Sequence, residues 1–197
     1  TIAGTLTVNQ TAPATAVTLN GDIVVNGNLN FVSGKITSAN NTLTIGASAN
    51  IIGAGSTTGW VVGSLRKLTS SGANPSFNYT VGDNNNYLPV NVTFSSPTTT
   101  AGDLTVKINE GEHPQVATSS IETTKNVNKY WTLTNANLTG FGSFNAILNY
   151  ANVDIDSGAI PANFIARRFD GANWASTTLS GSPTDSNVTV SRSEERR

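Results

Sequence analysis

The sequence predicts an all-β chain, and three observations carry that expectation. Apolar residues alternate with polar ones at period two, as Val90, Val92 and Phe94 do with Asn91, Thr93 and Ser95. No window holds apolar residues at i, i+3, i+4 and i+7 over three turns, because Gly, Asn, Thr and Ser interrupt every candidate helix. Those four residue types make up 91 of the 197 residues, so turn signals separate all the alternating runs. Only 12% of the chain is charged and the formal net charge is −1, which leaves no basic footprint for nucleic acid. No apolar run approaches the ~18 residues of a spanning helix, so no membrane span is expected. Cysteine and methionine are absent and His113 is the one histidine, which removes disulfides, thiolate metal sites and cysteine nucleophiles. The start at Thr1 reads as a processed terminus.

In chain order, residues 1–59 form a region of very short apolar pairs: Leu6 with Val8, Val17 with Leu19, Ile23 with Val25, Leu29 with Phe31, Leu43 with Ile45, then Ile51 and Ile52. The Asn20-Gly21 and Asn26-Gly27 dipeptides favour positive φ, so they mark either tight hairpins or the corners of a solenoid-like or irregular β-ladder. The glycine-rich stretch from Gly53 to Gly59 marks the end of this texture. Residues 60–191 then carry longer alternating strands, around Leu104–Ile108, Tyr130–Thr134 and Phe144–Tyr150, and are expected to form an antiparallel β-sandwich. Trp131 and Trp174 are expected as core anchors; the competing role is an exposed platform for sugar rings, shared with Tyr87. Residues 192–197 are a charged tail.

Candidate chemistry is sparse. Gly53, Gly55 and Gly59 approach a dinucleotide fingerprint, but the third glycine is late and a strand follows, so no helix N-terminus is there to hold a phosphate. Glu110 and Glu112, with His113 beside them, are read as a solvated loop after the strand ending at Asn109; an acid/base pair would need a second wall across a groove. Asp154 and Asp156, followed by Ser157-Gly158, open like a calcium loop but lack its closing glutamate, so they are read as solvated turn residues and no cofactor is expected, with structural calcium as the competing reading. Asp83 with Asn84, Asn85 and Asn86 is similarly rich in oxygen ligands. No motif demands catalysis.

Three runs, Trp60-Val61-Val62-Gly63-Ser64-Leu65-Arg66-Lys67, Phe77-Asn78-Tyr79-Thr80-Val81-Gly82 and Tyr87-Leu88-Pro89-Val90, resemble a pattern in β-rich secreted surface proteins of Bacteroidetes-type bacteria. Asn128-Lys129-Tyr130-Trp131-Thr132-Leu133, Leu148-Asn149-Tyr150 and Ala166-Arg167-Arg168 with Trp174 extend it. The resemblance implies type IX export and an extracellular or cell-surface location. It also implies a non-catalytic role as a fibre, stalk or adhesin. Proteins of this kind continue with a further aromatic strand, whereas here Asn187–Val190 runs into the charged tail. The resemblance therefore implies an open sheet edge, and residues 4–9 of a neighbour, with Thr5, Leu6, Thr7 and Val8, are the expected donor strand. The expected function is a subunit of a surface filament joined by strand exchange. The alternative is an adhesin module that binds carbohydrate or other surface proteins.

Overall fold

Short apolar pairs turning at Asn-Gly corners stack as coils instead of folding back as hairpins. The computed structural model describes residues 1–73 and 76–193, and they form several β-sheets with three single 3-10 turns. The first coil holds β1 (Leu6–Asn9), β2 (Ala16–Thr18) and β3 (Ile23–Val25). The second holds β4 (Leu29–Ser33) and β5 (Lys35–Ile45), which bends at Ala39 (φ 53) to serve two faces. The third holds β6 (Ile51–Ile52) and β7 (Val61–Thr69); after β8 (Ser76–Tyr79), β9 (Val81–Gly82) adds a last short rung. All stacked partners are parallel: Leu6, Leu29 and Ile51 on one face, Val17, Ile36, Val61 and Val81 on the second, Ile23, Leu43 and Leu65 on the third. Each coil advances by roughly 22 residues, within the period range of solenoids.

The solenoid interior is apolar and closed, with Val25, Leu29, Leu43, Ile45, Val61 and Leu65 fully buried. Val17 and Ile52, expected to point inward, are 39% and 49% exposed: Val17 stacks on buried Ile36 but lies in the first coil, at the end of the stack, and Ile52 alternates outward at the turn into Gly53. The glycines of the 53–59 stretch serve stacking. An added Cβ at Gly59 would lie 1.8 Å from the carbonyl oxygen of Gly34, and one at Gly53 would lie 2.4 Å from that of Phe31.

No break occurs at residue 59, where the change of texture placed a boundary. The remaining strands are β10 (Val90–Phe94), β11 (Gly102–Glu110), β12 (Lys129–Ala136), β13 (Ser143–Asn149), β14 (Arg167–Phe169), β15 (Trp174–Ser176), β16 (Thr178–Leu179) and β17 (Asn187–Ser193). Strand β7 pairs parallel with β5 on one side and antiparallel with β11 on the other, giving a mixed sheet in the order β12-β11-β7-β5-β2, with β3 also on β5. One apolar row, Ile23, Leu43, Leu65, Val106 and Leu133, therefore crosses from the solenoid into the antiparallel half. A second, antiparallel sheet has the order β16-β17-β13-β10-β8. Its alternating residues Val90, Val92, Phe94, Ala146 and Leu148 are buried in one cluster with Leu104 and Val106, and the Tyr79 hydroxyl donates to the Leu104 carbonyl at 3.1 Å. Arg192 and Ser193 belong to β17, paired with Phe144 and Ser143, so the strand runs further than the sequence suggests; residues 194–197 of the charged tail lie outside the described residues. Trp60, at 4% exposure, is the buried tryptophan, while Trp131 and Trp174 are half-buried.

Lys67 closes the third coil from inside. Its ammonium donates to the carbonyls of Gly46, Ala47 and Ala49 at 2.6, 2.9 and 2.7 Å, and burial lowers its pKa to about 8 from the ordinary lysine value of 10.5. Because the folded value lies below the unfolded one, the unfolded chain binds more protons between them, so Lys67 makes stability rise with pH across that window. Chemical denaturation between about pH 7.5 and 10 should show this slope, and the Lys67→Met variant should lose it.

Candidate interaction site

The solenoid is tied to the antiparallel half by a buried group of three charges. Asp83 follows β9, Lys129 opens β12, and Asp154 lies in a 3-10 turn after β13. Lys129 Nζ lies 2.9 Å from Asp83 Oδ2 and 3.1 Å from Asp154 Oδ1, with the three side chains 5%, 5% and 11% exposed. Asp83 Oδ1 also accepts the backbone N–H groups of Asn85 and Asn86, both at 2.6 Å. Burial alone would raise the Asp83 pKa, but Lys129 and these amides outweigh it and hold the carboxyl below its usual value. Burial alone would likewise lower Lys129, yet its two carboxylates keep it above the ordinary lysine value. Beside this group Trp60 Nε1 donates to the Asp83 carbonyl at 2.8 Å, and Lys35 Nζ lies 4.6 Å from the Trp60 ring centroid. The oxygen-rich Asp83–Asn86 run is thus an ion-paired turn.

The Asp154 and Asp156 carboxylates are engaged with nitrogen donors. Asp154 Oδ2 accepts the Ala151 N–H at 2.9 Å, and Asp156 accepts the Asn126 N–H at 3.0 Å and the Asn128 side chain at 2.7 Å. A calcium ion here would have to displace these donors and Lys129, and the described residues contain no group of three or more His, Asp or Glu side chains placed to hold a metal. The melting temperature is expected to stay put when calcium or a chelator is added; a rise of several degrees with calcium would restore the cation reading.

Glu110 ends β11 and is exposed, while Glu112 Oε1 accepts Asn126 Nδ2 at 2.6 Å, which ties it to the loop before β12. His113 packs between the rings of Tyr130, Phe169 and Trp174, each centroid 4.9 Å away, and Trp174 Nε1 donates to Gln115 O and Thr118 Oγ1, both at 3.1 Å. This aromatic group fastens the loop after β11 onto the β14–β15 hairpin. Only the spacing of His113 from Trp174 in space, invisible in the sequence, brings it together.

Between the two sheets lies the main feature missed by the sequence, a cleft of about 1710 Å³. Val92, Phe94, Phe144, Leu148, Val188 and Val190 line one side, and Leu104, Trp131 and Leu133 line the other. Strand β12 borders it and, among the described residues, pairs only with β11. Gly111 N–H bonds to Asn128 O on the β11 side, so alternation turns the backbone groups of Trp131, Leu133 and Asn135 away from β11. Two further donors on residues lining the cleft, Trp131 Nε1 and Arg167 Nε, are buried with no hydrogen-bond partner. Leaving such a donor unpaired costs about 1–3 kcal/mol.

The expected donor segment lies elsewhere. Thr5 precedes β1, and Leu6, Thr7 and Val8 pair parallel with Leu29, Asn30 and Phe31 of their own chain, with Val8 buried. Insertion of this segment into a neighbour would require it to leave β4. No helix of the described residues is long and apolar enough to cross a membrane. No family model matches the chain, and no curated protein or solved structure matches it.

Proposed function

We propose that the chain is a non-catalytic structural protein of an extracellular surface, a subunit that joins others by β-strand pairing, with its two sheets facing each other as a sandwich. The observation that carries this reading is the eight-residue edge of β12 beside the unfilled cleft. An added strand would pair the outward groups of Trp131, Leu133 and Asn135, put apolar side chains into the cleft, and offer acceptors to Trp131 Nε1. An unguarded edge is a template for this kind of addition. The weak charge of the chain favours it further, since neutral polar faces pack side by side without repulsion. The surface location rests on the resemblance of the Trp60–Lys67 and Asn128–Leu133 runs to secreted surface proteins. Light scattering and negative-stain electron microscopy of the purified chain should find regular filaments or closed oligomers; monodisperse monomers at millimolar concentration would overturn the reading.

The second reading, glycan binding, draws on Tyr130, Phe169 and Trp174, half-exposed at the cleft. Their rings and the Trp174 N–H are already used on one another and on the 115–118 loop. Acrylamide quenching of tryptophan fluorescence should therefore not change across a panel of saccharides, whereas protection by one of them would favour the adhesin reading.

A further inference from the structure

The mixed sheet has two open ends. Among the described residues, β12 pairs only with β11 at one end; at the other, the first coil pairs only with the second, apart from Ile2, which lies outside Val25. The apolar row between these ends is buried in the middle, at Leu43, Leu65 and Val106, and half-exposed at its two termini, Ile23 and Leu133.

Edges meant to stay solitary carry charge, proline or a bulge. Residues 1–21 contain no charged side chain, and the exposed strand β2 is Ala16-Val17-Thr18; Pro13 lies in the loop before it. In β12 the single charge, Lys129, is held by Asp83 and Asp154, and the exposed positions on the face away from Trp131 and Leu133 are Thr132 and Thr134. Thr15 O and Leu19 N are bonded toward β5, so alternation directs the backbone groups of Ala16 and Thr18 outward. Strands β2 and β3 lie along the 11 residues of β5; on the outer side of β3 the Ile2 N–H donates to Val24 O and Ile2 O accepts the Asn26 N–H, so the stretch of this edge offered to a partner runs from β2 to Ile23 and faces the 8 residues of β12.

We infer that the two ends are partners: the first coil of one copy adds to β12 of another, which continues the apolar row from Leu133 of the first copy to Ile23 of the second. This rests on the assembly reading above and names its partner as a second copy of this chain, meeting through two different surfaces. Such a head-to-tail contact repeats into a filament or closes into a ring. It needs no strand to leave its own fold, so the Leu6–Asn9 pairing with β4 persists in the assembly.

Two variants test it. Leu133→Lys puts a charge at one end of the row and keeps the first coil intact, while Ile23→Lys does the reverse. Each alone should be monomeric by light scattering after gel filtration. Mixed in equal amounts they should give a one-to-one dimer and nothing larger, because each contributes one working end. Val17→Lys and Thr134→Lys, at exposed positions, repeat the test should either half-buried lysine fail to fold, as judged by a thermal melt. Assembly of Ile23→Lys and Val17→Lys to the wild-type size, or a mixture that stays monomeric while the wild type assembles, would overturn the head-to-tail contact and leave the assembly reading standing. A monomeric wild type would overturn both.

Discussion

Replacing Lys129 with methionine should lower stability by about 3–5 kcal/mol, since it leaves Asp83 and Asp154 buried without their cation. At roughly 2–4 °C per kcal/mol for a chain of this size, the melting temperature should fall by roughly 10 °C. The pH dependence gives a second readout. The folded pKa of Asp83 is depressed, so its contribution is present above the unfolded value, 3.8, and is lost as pH falls through the folded value. The folded pKa of Lys129 is raised, so its contribution is present below the unfolded value, 10.5, and is lost as pH rises through the folded value. The difference between wild type and Lys129→Met should therefore be widest between those limits and should narrow in acid, where the stranded carboxylates take up protons. Adding Asp83→Asn to the variant should recover part of the loss. A variant melting within a degree or two of the wild type would mean that this ion group does not hold the two halves together.

What the sequence disclosed follows from how local each signal is. Period two in Val90–Phe94, Leu104–Ile108 and Phe144–Tyr150 is a property of a single strand, and each of those strands is present with the anticipated face inward. The chain bends at the Asn-Gly corners without the positive φ expected of them, and whether the flanking strands run antiparallel or stack in parallel depends on partners about twenty residues away. Strand β5 escaped notice because it changes face at Ala39 to Asn41, so its two buried segments, Lys35–Ser38 and Leu43–Ile45, share no single alternation. The Lys129 group was hidden for a different reason: its members come from positions 83, 129 and 154, and nothing near any of them announces the other two. An open edge is expected beside Asn187–Val190, where the last strand meets the tail, but β17 is flanked by β16 and β13, and the long strand with one pairing partner among the described residues is β12 instead. The cleft beside β12 has no sequence signal, because it lies between strands whose patterns are each complete.

The glycines between Gly53 and Gly59 show how a motif-like spacing can arise from packing alone, and they carry the second large effect. Gly59 has φ 154, and an added Cβ would sit 1.8 Å from the carbonyl oxygen of Gly34 and 3.1 Å from the Phe31 ring. Gly34, itself at φ 102, is fixed where the second coil turns between β4 and β5, and its N–H bonds to Thr58 O at 2.8 Å. Neither backbone can retreat without breaking the rung above or below it. Gly59→Ala should therefore cost about 3–5 kcal/mol, combining an overpacking term with a conformation that side chains rarely adopt. Gly72→Ala supplies the control, since it too has positive φ but open space around the added carbon, and it should cost about 1 kcal/mol. Urea denaturation of the two variants separates the causes: a loss at Gly59 well beyond that at Gly72 assigns the difference to inter-coil contact, and equal losses would reduce both to backbone strain. The same contact explains why a nucleotide-like glycine spacing sits on a corner with no helix after it: the glycines clear a path for a neighbouring carbonyl, which occupies the space a phosphate would need.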